Sequence, residues 1–135
     1  MAKRVYEIDG NAFDTLEGFF DQVGHNVLGG TRWGRNLDAF NDVLRGGFGT
    51  PDVGFALRWL NSERSRTVLG YPATVRYLEE KLGRCHRSNI ALVEADLESA
   101  RRGEGQTLFE ILVEIIRAHG SAGEEEQDGV ELELL

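Results

Sequence analysis

The chain has 135 residues, 41% apolar and 28% charged, with two prolines and one cysteine. That is the make-up of a globular domain able to bury one core, not of a disordered segment. The formal charge of −8 is unevenly spread: six of the 23 acids stand in residues 121–135 with no Lys or Arg among them, leaving 17 acids against 15 bases in the other 120 residues. Such a chain suits a basic partner better than a nucleic acid, and no apolar run is long enough for a membrane span or an export signal. The lone Cys85 excludes an internal disulfide framework, so a reducing, cytoplasmic setting is expected.

Residues 4–8, RVYEI, alternate as a first strand ending in the turn signal Asp9-Gly10. Asp14 and Glu17 have capping-box spacing, and Leu16, Phe19, Phe20 and Val23 predict an amphipathic helix over 15–24. A glycine-rich loop, LGGTRWG, covers 28–34. Leu37, Phe40 and Leu44 then give a second helix an apolar stripe, and Gly46-Gly47 ends it. A turn containing Pro51 covers 48–52, and VGFALRWL, residues 53–60, reads as a mostly apolar second strand. Ser62, Ser65 and Arg66 open a short helix before Gly70. Pro72 suits the first turn of another, with Val75, Leu78 and Leu82 on its buried face. Ser88 is placed to cap the next helix, which carries Ile90, Val93 and Leu97 and stops at Arg101-Arg102-Gly103. Thr107 and Glu110 form a second capping box, opening the most apolar helix of the chain. An acidic turn or linker spans 120–129, and VELEL at 130–134 alternates as a last strand. Strands separated by helices usually pair in parallel. The expected fold is therefore α/β, a small three-stranded parallel sheet covered by helices. The helical pair at about 70–103 stands as an addition beside it, within a single domain over 1–135.

Catalytic and metal signatures are weak. His25, His86 and His119 are far apart and read as surface or loop histidines, and Cys85-His86 lacks zinc-site spacing. There is no nucleophile elbow, P-loop or dinucleotide fingerprint. Glu110 and Glu114 share a helix face without any accompanying nucleophile, so they read as a solvated stripe with Arg117. Arg84, Arg87, Arg101 and Arg102 permit a local phosphate-binding patch, but helix C-termini commonly carry basic residues for dipole reasons. No enzyme activity and no cofactor are expected.

Residues 33–49, WGRNLDAFNDVLRGGFG, hold the most informative pattern. On a helical wheel Asp38, Asn41, Asp42 and Arg45 point outward together, with Arg35 one turn before and Trp33 in the entering loop. An aromatic beside an acidic helix face is a credible binding surface. An equally plain account has Asp38 favouring the helix N-terminus, with Arg35 and Arg45 pairing with the aspartates at three-residue spacing.

The segment from Trp33 to Leu44 resembles the hallmark of the barstar family, an aromatic-Gly-x-Asn-Leu-Asp-Ala run with a second aspartate four residues after the first. The order of strands and helices agrees over about 3–67 and 106–134, including Trp59 and the Ser-x-x-Ser that follows it. Residues 68–105 read as an insertion relative to the smallest members. The resemblance implies an intracellular inhibitor that sets an acidic loop-helix face into the basic, phosphate-binding active site of a ribonuclease. It implies Asp42 as the central carboxylate, Asp38 as a second acid beside it, and Glu114 as the glutamate supplied by the last helix. An aspartate of the family is an established hot spot, so the weight given to that position is inherited with the resemblance. Charge complementarity would speed encounter and hold the complex.

Asn41 stands where the type member has an aromatic, and Arg32-Trp33 where it has a tyrosine pair. These departures imply a different ribonuclease or another partner. The partner-binding residues expected are thus Trp33, Arg35, Asp38, Asn41, Asp42, Arg45 and Glu114, with no membrane and no direct nucleic-acid contact. The alternative is a non-catalytic regulatory or scaffold module binding through the helices at 70–103.

Overall fold

The computed structural model describes residues 3–46, 50–51, 53–120, 123 and 128–135. Gly47, most of the turn expected at 48–52 and most of the acidic segment at 121–127 lie outside the described residues. Among the described residues the order is β1 (Arg4–Asp9), α1 (Leu16–Asn26), α2 (Leu37–Leu44), β2 (Phe55–Leu60), α3 (Ser62–Val68), α4 (Tyr71–Leu82), α5 (Ile90–Arg101), α6 (Leu108–Ala118) and β3 (Glu131–Leu134), with short 3₁₀ turns at Gly10–Ala12 and Arg87–Asn89. The three strands form one parallel sheet with β2 in the centre, the α/β architecture expected from the sequence.

Alternation in β1 and β2 sorts the sheet into two unlike faces. Tyr6, Ile8, Phe55, Leu57 and Trp59 are buried on one of them. Trp59 is fully enclosed, stacked on Phe19 of α1 with ring centroids 5.2 Å apart and edge-on to Phe109 of α6 at 5.1 Å. Its indole N–H donates to Ser65 Oγ at 2.9 Å, so the one polar atom of this large core residue is satisfied. Phe19 also meets Phe40 of α2 edge-on at 5.3 Å, which joins three helices to the central strand. Each such side chain contributes about 1.5–3 kcal/mol by leaving water.

On the opposite face Val5 and Glu7 are exposed and Arg58 half-buried, and only Ala56 of the described central-strand residues there is buried. There the register aligns Glu7, Arg58 and Glu133 across the three strands, with Arg58 3.7 Å from Glu7 and 3.2 Å from Glu133. The expectation of a sheet covered by helices therefore holds for one face only. Arg58 inside β2 is the reason: its charge is met by a cross-strand row of carboxylates rather than by a helix.

Several local expectations shift. Thr15, not Asp14, caps α1, its hydroxyl accepting from Gly18 N at 3.1 Å. Asp14 instead pairs with Arg64, whose guanidinium also donates to the carbonyls of Gly10 and Phe13 at 2.7 Å each. Asn89, not Ser88, occupies the N-cap of α5, and Ser88 falls within the preceding 3₁₀ turn. Strand β2 begins at Phe55, because Gly54 adopts φ +93°. A Cβ on Gly54 would stand 2.3 Å from the carbonyl oxygen of Gly129. Gly54→Ala is therefore expected to cost about 2–4 kcal/mol, combining left-handed strain with a backbone clash, and to lower the thermal midpoint by roughly 10 °C. An unchanged melting curve would contradict this packing.

The capping box at Thr107 and Glu110 is present in both directions. It opens α6 over Leu108, Phe109, Leu112, Val113 and Ile116, all buried. Thr107→Ala should remove about 1 kcal/mol, a shift of a few degrees in a thermal melt. A shift below 1 °C would show that the box contributes nothing.

Helices α4 and α5 pack on each other around their own small cluster of Leu78, Val93, Leu97 and Ala100. Ala73 and Tyr77 of α4 also reach the main core. Two bonds tie α4 and the turn before it to the start of α6: Leu108 N donates to Thr74 Oγ1 at 2.7 Å, and Phe109 N to the Leu69 carbonyl at 3.1 Å. No helix among the described residues is long and apolar enough to cross a membrane.

Candidate functional site

The loop after α1 and the first turns of α2 form an exposed face held by short-range bonds. Asn36 caps α2, its Oδ1 accepting from Ala39 N at 2.8 Å. Gly34 allows the loop to lie against the helix it feeds, since a Cβ there would stand 2.7 Å from Ala39 Cβ. Arg35 sits in left-handed backbone at φ +52°, an uncommon state for a residue with a side chain. Its guanidinium reaches back to Asp21 of α1 at 2.5 Å, which fixes the turn. Trp33 is half-buried, edge-on to Phe20 with centroids 5.5 Å apart. Gly24 makes room for it: a Cβ on Gly24 would be 3.1 Å from the indole nitrogen.

Asp38 and Asp42 are both exposed, one turn apart on α2. Asp38, in the first turn, faces the positive end of the helix dipole, and it makes no ion pair among the described residues. Asp42 is 3.2 Å from Arg45 at half-exposed positions, a pair worth at most about 1 kcal/mol and easily exchanged for a partner's cation. Of the two pairs considered from three-residue spacing, the Asp42–Arg45 one forms, whereas Arg35 pairs with Asp21 instead of Asp38.

Asn41 does not look outward. Its side chain turns in to His119 at the end of α6, Oδ1 to Nε2 at 2.6 Å. The other ring nitrogen of His119 lies 2.6 Å from Asp128, in the segment before β3. His119 is fully buried, so the reading of all three histidines as surface or loop residues fails at this one. Both ring nitrogens therefore have a polar partner within hydrogen-bond distance, although the ring is buried. The effect is to clamp α2, between its two aspartates, onto α6 and the last strand.

Beside α2 an open groove of about 450 Å³ runs toward α4. Leu16, Phe20 and Leu37 supply its apolar lining; Asp38 and Arg35 stand on one side, and Tyr77 and Lys81 of α4, with Arg84 just past its end, on the other. Burial pushes the Tyr77 phenol above its ordinary range; the Arg84 guanidinium opposes that shift and the Asp38 carboxylate adds to it. Tyr77 thus lies within electrostatic reach of both elements. The sequence pattern did not place α4 beside the acidic helix, because the contact joins residues some 40 positions apart with no shared motif.

Glu114 lies elsewhere. It is exposed, hydrogen-bonded to Gln106, and lines a different groove with Arg66, Arg117 and Leu134. The structure therefore brings Trp33, Arg35, Asp38, Asp42 and Arg45 onto one region of loop and helix, turns Asn41 inward, and leaves Glu114 on another flank. Among the described residues no cluster of His, Cys, Asp and Glu has the makings of a metal site.

One protein family, described as Barstar (barnase inhibitor), matches residues 3–88. The match takes in β1 through α4, including the loop and α2 described above. No curated protein and no solved structure matches the chain.

Proposed function

The chain belongs to the barstar family, and from that premise we propose that it inhibits a ribonuclease by covering the enzyme's active site with the loop at 29–36 and α2. The observation that carries the reading is the pair of exposed carboxylates, Asp38 and Asp42, presented from a capped and clamped helix inside the family match. Carboxylates at that spacing take the place of RNA phosphates before a ribonuclease's cationic groups, and the opposite charges also raise the association rate. Trp33 beside them supplies an aromatic anchor, held by Phe20 but still half open to a partner. The protein contributes no catalytic group in this role, only occupation of the site.

Arg32 and Arg35 add positive charge near the acidic face, and Arg35 is neutralised by Asp21. A target less basic than barnase, or one with an acidic segment next to its active site, fits that mixture. Calorimetric titration into barnase and a panel of small bacterial ribonucleases, at low and moderate salt, tests the proposal. One-to-one binding that weakens with salt is expected for at least one enzyme. Absence of binding across the panel would remove the support for a ribonuclease partner.

A further inference from the structure

The groove beside α2 is lined by charges of both signs. On the α2 side stands Asp38, in the acidic face assigned to the ribonuclease's cationic groups. On the α4 side stand Lys81 and Arg84, neither of which has a carboxylate partner among the described residues: Lys81 lies 6.0 Å from the Tyr77 ring centroid, and Arg84 Nε donates to the Glu80 carbonyl at 3.2 Å. Between them the lining is apolar, from Leu16, Phe20 and Leu37. Glu17 of α1, Arg35 beside Asp38, and Glu80 on α4 complete the charged groups lining it. A surface that served only as a phosphate mimic would have no use for two uncompensated cations next to its acids, since they repel the same target.

We propose that α4 forms the second half of the partner interface, and that the groove receives an acidic loop of the ribonuclease bordering its active site. A carboxylate of that loop meets Lys81 and Arg84, and an adjacent aromatic or aliphatic side chain rests on Leu16, Phe20 and Leu37. Asp38 and Asp42 meet the basic centre of the same enzyme. This rests on the ribonuclease reading and narrows it: the target carries a basic site with an acidic loop beside it. The groove's volume suits one or two inserted side chains. Its continuity with Asp38 makes the two halves one surface, and the Tyr77 phenol lies within reach of charges from both. Opposite charges on adjacent patches also fix the register of docking, because a rotated partner meets like charges.

The test uses the full chain against barnase and the panel of small bacterial ribonucleases. The double variant Lys81→Glu/Arg84→Glu is compared with Arg87→Glu/Arg117→Glu, which makes the same change in net charge at exposed positions outside the groove. Circular dichroism confirms that each variant stays folded. Against an enzyme that the unmodified chain binds, the groove variant should bind at least tenfold more weakly, mainly through a slower association rate, while the control stays within about threefold. Equal affinity of the groove variant and the unmodified chain would overturn the proposal. So would tighter binding of the groove variant, which would place basic groups opposite α4, or an equal loss in both variants, which would trace the effect to net charge. Failure of the unmodified chain to bind any enzyme of the panel would fall on the ribonuclease reading first, and on this proposal with it.

Discussion

Replacing Asp42 with alanine is expected to weaken binding to the cognate ribonuclease by about 2–5 kcal/mol, from roughly thirtyfold to a few thousandfold in Kd, while leaving the fold intact. Asp42 is exposed, and its partner within the chain is Arg45, three residues on, at 3.2 Å. The folded state loses at most about 1 kcal/mol with that pair. In the complex the same carboxylate would face cations stripped of water, and removing it would leave those cations buried and unpaired, which is where the large cost arises. Asp38→Ala should act in the same direction with a smaller effect, plus a few tenths of a kcal/mol from the helix dipole. The two substitutions are one turn apart and should be non-additive. Titration of each variant beside thermal melts separates the two costs. Asp42→Ala with a Kd within twofold of the unmodified chain would place the interface elsewhere.

The second large effect concerns stability. His119→Ala should cost about 3–5 kcal/mol, a large share of the margin that keeps a domain folded. The imidazole is fully buried and joins Asn41 of α2 to Asp128 before β3, at 2.6 Å on each side. Its removal leaves a carboxylate and an amide facing a cavity with no donor between them. Asn41→Ala removes one of the two links and should cost less. The double variant His119→Ala/Asn41→Ala should fall short of the sum, because both changes break the same bond. Urea unfolding curves measure all three. A midpoint for His119→Ala within experimental error of the unmodified chain would show that the clamp carries no stability. Since Asn41 lies between Asp38 and Asp42, loss of the clamp should also loosen the acidic face and weaken binding beyond what the folded fraction explains.

Local signals made most of the fold readable. Helix α6 was legible because Thr107, Glu110 and the stripe from Leu108 to Ile116 lie within eleven residues. The parallel sheet followed from strands alternating with helices. What failed were choices between neighbouring candidates and contacts made across the chain. Asp14 and Thr15 are both good caps, and the choice between them accompanies a long-range pairing of Asp14 with Arg64. The open sheet face was signalled by Arg58 within an otherwise apolar strand, but its meaning emerges only when Glu7 and Glu133 are aligned beside it.

The site divided in the same way. Asn36, Asp38 and Asp42 could be placed from α2 alone. The inward turn of Asn41 could not, although His119 carried a usable sign: it stands three residues after Ile116 and seven after Leu112, on the buried stripe of α6. Helical periodicity therefore placed it inside, and treating histidine as a surface residue overrode that signal. The groove against α4 could not be placed from the sequence, since Tyr77 and Lys81 belong to no motif and the pattern groups Arg84 with Arg87, Arg101 and Arg102 rather than with α2.

The most direct test of the central claim is a steady-state RNA-cleavage assay of a ribonuclease that the chain binds, run at increasing substrate with the chain titrated in. Occupation of the active site predicts inhibition that rises to completion as the chain is added in excess over the enzyme, relieved by added substrate through a raised apparent KM with kcat unchanged. Binding that leaves cleavage intact, or inhibition that lowers kcat without raising KM, would contradict it.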